Sequence, residues 1–449
     1  MAFRDLRDFL QVIEQEGELL KVKQELSPRF ELSAALKLNN DGKAVQFDNV
    51  TGYPGKTVVG NVLGTRRRVA KLLGVTEETL TQSFINRKEQ QIPPQIVESG
   101  PVKEVVIKDN IDLISLLPAL TYHEKDASPY LTSAVTIAKD PVTGMQNIGL
   151  HRIQLKGGNR LGIFLANPPI AAFLQKAEQA GKSLEVAIAL GVDSATQIAA
   201  TVKAAAEGPD KLAIAGGLNG AAIELTKAES VDLLVPARAE IIMEGRIIPG
   251  LREHEGPFGE ATGHYFEDES PVIEIHTVTH RKDFILSVIQ VWGSETDVLI
   301  TLGGSAENIR LLKQMVPSIK DINFFPGTLS FHAVVSVQGA NPAEVRRLMA
   351  LILNMDPRVK QITVVDDDVD IYDMREVQWA MATRFQADRD VLLITGLQGY
   401  PIDPSVKDGV TAKIGFDATK KGGDLSKFEK ITIPADSVAR ARKALGLDK

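Results

Sequence analysis

The chain contains no cysteine, which excludes disulfides, thiolate zinc sites, iron–sulfur clusters and cysteine nucleophiles. Aromatic residues are only 5% of it, so a core must be built from Val, Ile, Leu and Ala. No apolar run reaches the roughly 18 residues of a membrane-spanning helix. The apolar opening stretch is broken by Arg4, Asp5, Arg7 and Asp8, unlike a signal peptide, and a cytoplasmic protein is expected. No strand is followed by GxGxxG, no GxxxxGK[ST] occurs, and the seven histidines form no HExxH. Basic residues are outnumbered, 51 Lys and Arg against 58 Asp and Glu, so no nucleic-acid surface is expected. The one dense basic run, Arg66-Arg67-Arg68, precedes Val69, Ala70, Leu72 and Leu73 and reads as the solvated face of a short helix.

What is present has three textures, and 449 residues exceed a single ordinary core. Phe3, Leu6, Phe9, Leu10 and Ile13 recur at helical spacing, which predicts an amphipathic helix ending at Gly17. Residues 32–90 alternate short apolar runs with helical stretches, an α/β pattern that breaks at Pro93-Pro94. From residue 105 strand-like runs dominate, at 105–107, 131–138, 148–155 and 161–165, then after a helical insert at 170–180 again at 186–190, 239–243 and 272–280. Short strands separated by Gly and Pro turns predict an antiparallel barrel or sandwich. The last third is α/β again, with Asn341-Pro342 as a helix start and Val345, Leu348, Met349 and Ile352 as its apolar face. The expected fold class is therefore a multidomain α+β and α/β chain.

Three constellations could carry chemistry. Glu255-Gly256-Pro257-Phe258-Gly259-Glu260 sets two carboxylates across a segment that cannot be helical. If both converge on one pocket, like-charge repulsion favours a proton on one of them, which suits a general acid; otherwise the segment is a tight turn with two exposed acids. In Asn147-Ile148-Gly149-Leu150-His151-Arg152-Ile153-Gln154, strand parity places Arg152 on a face with apolar residues, where it needs a carboxylate or phosphate partner. A structural salt bridge satisfies that need equally well. Finally, Asp366-Asp367-Asp368-Val369-Asp370 suggests either a cation site or a solvated strand end.

Read in order, these segments resemble the UbiD decarboxylase family. Further resemblance lies in Ala215-Gly216-Gly217-Leu218, in Val235-Pro236-Ala237 running to Glu240-Ile241-Ile242 and Glu244-Gly245, in Trp379-Ala380-Met381-Ala382-Thr383-Arg384, in Ile402-Asp403-Pro404-Ser405 and in Lys413-Ile414-Gly415-Phe416-Asp417. The matches span residues 110–420 in family order. The resemblance implies an N-terminal α/β domain at 1–108, a central flavin-reductase-like split β-barrel at 109–305 and a C-terminal α/β oligomerisation domain at 306–449. It implies prenylated FMN as cofactor, supplied by a separate flavin prenyltransferase. It also implies a homodimer or higher homo-oligomer, and an aromatic, heteroaromatic or α,β-unsaturated acid as substrate. The family's Glu–Arg–Glu network maps onto Glu255, Arg152 and Glu260, with Glu260 returning a proton to carbon as CO2 leaves. Asn147, Leu150, His151, Arg152, Phe164, Leu165, Ala166, Asn167, Lys211 and Arg375 fall where the cofactor would lie.

The family's metal site, which holds the cofactor phosphate, uses an Asn, a His and a Glu. Asn147 is present, but Pro168 and Lys211 stand where the resemblance puts the His and the Glu. The Lys211 ammonium is expected to take over the metal's electrostatic role; the alternative is a carboxylate from Glu207 or Asp210 in a shifted register, with Asn147 as a retained metal ligand. Two other functions stand beside decarboxylation: a non-catalytic flavin-binding subunit of a multi-component carboxylase, and a flavin reductase-like oxidoreductase.

Overall fold

The computed structural model describes residues 2–40, 42–203, 208–422 and 424–447, with the side chains of 305–307 left aside. The opening helix is Leu6–Gln15; the Asp5 carboxylate caps it by accepting from the amide of Asp8, and Leu6, Phe9, Leu10 and Ile13 form its buried face. It lies beside a four-stranded sheet in the order Leu19–Val22, Ala44–Phe47, Thr57–Gly60, Ile285–Val288. The fourth strand comes from far along the chain, so the N-terminal layer is completed by a segment that follows the barrel.

The helix Arg66–Leu73 forms as expected, and of its basic run Arg67 is solvated and Arg66 half-buried, but Arg68 is not on a solvated face. Arg68 is 1% exposed. Its guanidinium donates to the carbonyls of Val62 (3.0 Å), Asn61 (2.9 Å) and Gly42 (3.0 Å) and pairs with Glu18. Backbone acceptors at the foot of a loop satisfy this charge, and residue type alone does not signal them.

The antiparallel barrel is closed. Tyr130–Lys139, Gln146–Gly157, Arg160–Ile163, Tyr265–His280, Ile241–Gly259 and Leu184–Leu190 pair in a ring of six, each pair antiparallel. Closure removes the sheet edges that would otherwise be exposed. Its core is aliphatic, as the low aromatic content requires, with Ile153, Leu155, Leu161, Ile163, Val186, Ile188, Met243, Ile273 and Ile275 all buried. Each such side chain contributes about 1.5–3 kcal/mol of burial. Two helices rich in small residues, Ser194–Thr201 and Lys211–Asn219, are buried along almost their whole length and pack against Gln146–Gly157. Among the described residues, no helix is long and apolar enough to cross a membrane.

The chain divides into two compact units: residues 1–311 with 324–331 and 399–409, and the remainder. The second unit holds a sheet in the order Ile319–Phe324, His332–Val337, Gln361–Asp366, Val410–Asp417, Val391–Gln398. Val334, Val365, Val377 and Ala380 centre one of its cores. The acidic run is neither a cation site nor a solvated strand end at its start. Arg384 bonds Asp366 at 3.0 Å and Asp368 at 2.9 Å, and Lys420 pairs with Asp368 at 2.8 Å.

Candidate active site

Glu255 and Glu260 are five positions apart, an odd offset, so a regular strand would point them to opposite faces. The strand Ile241–Gly259 is not regular there. Glu255 pairs with Asp268 and Phe258 with Phe266, so one extra residue sits between them as a bulge. The bulge restores the parity and turns both acids toward Arg152. Gly256 makes it possible: its φ is +108°, and a Cβ there would lie 2.7 Å from the carbonyl oxygen of Phe266.

Arg152 stands between the two acids. Its Nη2 donates to Glu255 Oε2 at 2.7 Å, and its Nη1 donates to Glu260 Oε2. The three side chains are 8%, 0% and 15% exposed for Arg152, Glu255 and Glu260, so the exposed-turn alternative does not hold. The guanidinium lies 4.6 Å from the ring centre of Phe164, 5.0 Å from Phe258 and 5.2 Å from Phe266. Burial opposes its charge, but Glu260 and Glu255 outweigh burial and raise its pKa. Tyr130, stacked on Phe258 at 4.2 Å, is pushed up by burial and then by Glu255. Arg152 Nε and Gln154 Oε1 find no hydrogen-bond partner among the described residues, and the Tyr130 hydroxyl faces Glu255. Buried polar atoms left open in this way suit a polar ligand. Tyr130, Phe258 and Phe266 were not singled out from the sequence. Only Phe258, inside the two-carboxylate motif, carried any signal.

A second cluster lies along the same strand. Lys211 opens its helix and is 2% exposed, with its ammonium 3.3 Å from the carbonyl of Ala200. Burial brings it down to about 8. Among the described residues no carboxylate lies within ion-pair distance of it. His151 shares Nδ1 with the Thr136 hydroxyl at 3.0 Å; burial and then the Lys211 charge bring it down to about 3, so the imidazole is neutral. Asn147 Oδ1 accepts the amides of Ile148 (2.9 Å) and Lys211 (3.4 Å), while its Nδ2 donates to Pro209 O at 3.1 Å. Among the described residues, an amide oxygen already receiving two N–H groups and a buried lysine in the same cluster suit an anion better than a divalent cation. Asp210 caps the Lys211–Asn219 helix through the amide of Leu212, and Glu207 lies outside the described residues. Among the described residues, no three His, Asp or Glu are placed to hold a metal.

Of the other expected positions, Leu150, Phe164 and Leu165 are half-buried, and Ala166 and Asn167 are exposed. Arg375 is exposed on the first turn of Met374–Arg384 in the second unit.

A closed antiparallel barrel carrying a buried carboxylate–guanidinium–carboxylate chain beside an anion-suited cluster defines a ligand-binding enzyme fold. Residues 95–294 match the 3-octaprenyl-4-hydroxybenzoate carboxy-lyase Rift-related domain, 10–88 the N-terminal domain and 297–418 the C-terminal domain of that family. The chain belongs to the UbiD family of carboxy-lyases, and its general role is decarboxylation. Among solved structures, the UbiD-class enzyme HmfF from Pelotomaculum thermopropionicum in complex with FMN matches with a TM-score of 0.94 at 37% identity, covering 97% of this chain and 99% of that one. The 3,4-dihydroxybenzoic acid decarboxylase AroY of Klebsiella pneumoniae matches at 0.89 and 30% identity, covering 96% and 97%. The anhydromevalonate phosphate decarboxylase of Methanothermobacter thermautotrophicus is 33% identical over 95% of this chain and 99% of its own length.

Proposed function

We propose that the chain is a cytoplasmic, prenylated-FMN-dependent decarboxylase that acts, without net oxidation, on an aromatic, heteroaromatic or α,β-unsaturated carboxylic acid. The observation that carries this reading is the buried chain Glu255–Arg152–Glu260. The overall change is R–CO2⁻ plus a proton giving R–H and CO2. Prenylated FMN, when bound, supplies the electron sink that decarboxylation of such an acid requires. The protein's part is electrostatic and protonic. Arg152 keeps Glu255 paired and its own charge fixed, while Glu260, the more exposed of the two acids, delivers the proton to the carbon that carried the carboxylate. Read backwards, the same steps fix CO2 onto R–H, so the reaction is reversible.

Asn147, Leu150, His151, Phe164, Leu165, Ala166 and Asn167 would line the cofactor, and Lys211 would meet its phosphate where the family resemblance implies a metal. Two facts support this reading: among the described residues no carboxylate lies within ion-pair distance of the buried ammonium, and the Asn147 side-chain oxygen already accepts two amides. The working division remains 1–108, 109–305 and 306–449, with a homo-oligomer assembled through the last part.

The test is expression with and without a flavin prenyltransferase. It would be followed by mass spectrometry of the released cofactor, metal analysis and CO2 measurement on a panel of acids. Prenylated FMN, CO2 release and no stoichiometric Mn are expected. Stoichiometric Mn would defeat the lysine role, and a loaded protein inert toward every acid would favour a partner subunit of a larger carboxylase.

A further inference from the structure

Glu260 sits just past the end of its strand, in the turn that leads into Tyr265–His280. Two anchors bracket it. On the strand side, the amide of Gly259 donates to Asp126 Oδ1 at 2.8 Å. The other Asp126 oxygen takes the amides of Tyr122 and His123, each at 2.9 Å. On the turn side, the amide of Gly263 donates to the carbonyl of Glu260 at 2.9 Å, and the amide of Glu260 to the carbonyl of His264 at 2.8 Å. Gly263, with φ at +78°, lies against the indole of Trp292: a Cβ there would be 3.2 Å from Cε2 and 3.3 Å from Cζ2.

Trp292 itself is held at a cost. Its φ is +53°, a region that bulky side chains rarely adopt. The residue nevertheless remains 43% exposed, so burial is a weak reason for the strain. Its contacts reach three separate segments. Nε1 donates to the carbonyl of Gly327 at 2.9 Å, and the amide of Gly327 donates to Asp297 at 2.8 Å on the helix that follows Trp292. The Lys37 ammonium donates to the Trp292 carbonyl and lies 4.3 Å from the ring centre. Strain of this kind persists only where the surroundings over-determine it, and it gathers at functional sites.

We infer that Trp292 is a positioning residue for the proton delivered by Glu260. Its indole forms the outer wall of the turn and fixes how far Glu260 stands from the reacting carbon. This rests on the reading of Glu260 as the acid. Misplacement by about 1 Å can cost about a hundredfold in rate, so a loosened turn should slow protonation more than it slows loss of CO2.

The two steps are separable. Exchange of labelled CO2 with the substrate carboxyl breaks and remakes one C–C bond and needs no proton from Glu260; net decarboxylation needs both. On the cofactor-loaded protein, Trp292→Ala should lower net decarboxylation about tenfold or more while exchange changes by less than about threefold, and Trp292→Phe should restore most of the loss. Should Trp292→Ala fail to fold, Gly263→Ala, whose methyl meets the indole, should show the same split. An unchanged ratio of exchange to net release, in whichever variants fold, overturns the inference. Glu260→Gln is the control: if it leaves net release intact, the acid assignment itself has failed. If it abolishes net release while Trp292→Ala leaves the ratio alone, only the positioning role is lost.

Discussion

Lys211 combines a buried ammonium with a lowered pKa of about 8 against an ordinary 10.5. Between these values the empty folded chain has released a proton that a phosphate-bound chain retains. Binding of a flavin phosphate therefore takes up a proton above pH 8, and affinity falls as pH rises. FMN titrations followed by flavin fluorescence should be flat up to about pH 8 and then weaken by up to about tenfold per pH unit. Lys211→Met should bind more weakly and lose this slope; a slope that survives in Lys211→Met would assign it to another group. By the same linkage the empty fold gains stability through that window, because the unfolded chain holds the proton there. At the other cluster, Glu260→Gln keeps the shape and the flavin but removes the transferable proton, so kcat should fall by about 10²–10⁴ while cofactor occupancy stays constant. Full activity in that variant, measured as CO2 release, would remove Glu260 as the donor.

The bulge at Gly256 is the element-scale counterpart of this chemistry. Gly256→Ala puts a methyl group where φ is +108° and the Phe266 carbonyl oxygen stands 2.7 Å away. The strand must straighten or shift, and the carboxylates lose their common face. A loss of about 1–3 kcal/mol is expected in a denaturant titration, together with loss of turnover. Wild-type stability with full activity would mean that the parity argument is wrong.

What the sequence conveyed at this scale was uneven. The opening helix, the capped helix at Asn341 and the antiparallel strands were legible, because apolar spacing and end signals are local properties. Spacing left barrel and sandwich both open and only the family resemblance pointed to the barrel, because closure depends on Ile241–Gly259 meeting Tyr265–His280 over a long, thrice-shifted register. Nor was the burial of Arg68 legible, because its partners are backbone carbonyls from other loops. The aromatic cage around Arg152 was hidden for the same reason: Phe164, Phe258 and Phe266 come from three strands or strand ends, and no spacing links them. Glu255, Arg152 and Glu260 were legible as a set only through family resemblance; parity alone would have separated the two acids.

On the scale of the molecule, the N-terminal helix is fastened to the barrel by charge. Arg7 grips Glu240 with two bonds of 2.7 Å, and Arg281 bonds Asp5 at 2.9 Å. Glu240 is completely buried. Glu240→Ala removes the acid that Arg7 and Arg281 share and leaves them Asp283 and Asp5 respectively, which should cost about 1–3 kcal/mol. Chemical unfolding monitored by tryptophan emission in a Trp379→Phe background, which leaves Trp292 as the reporter, should show the midpoint moving down; no shift would mean that the helix is held by its apolar face alone.

The whole account meets one measurement most directly. The cofactor-loaded protein is incubated in deuterated water with aromatic, heteroaromatic and unsaturated acids, and the products are analysed by mass spectrometry and NMR. At least one acid should give CO2 and a product with a single deuterium at the carbon that bore the carboxylate. Oxidised products, or NADH consumption with unmodified FMN and no CO2 from any acid, would contradict the decarboxylase and return the barrel to the oxidoreductases.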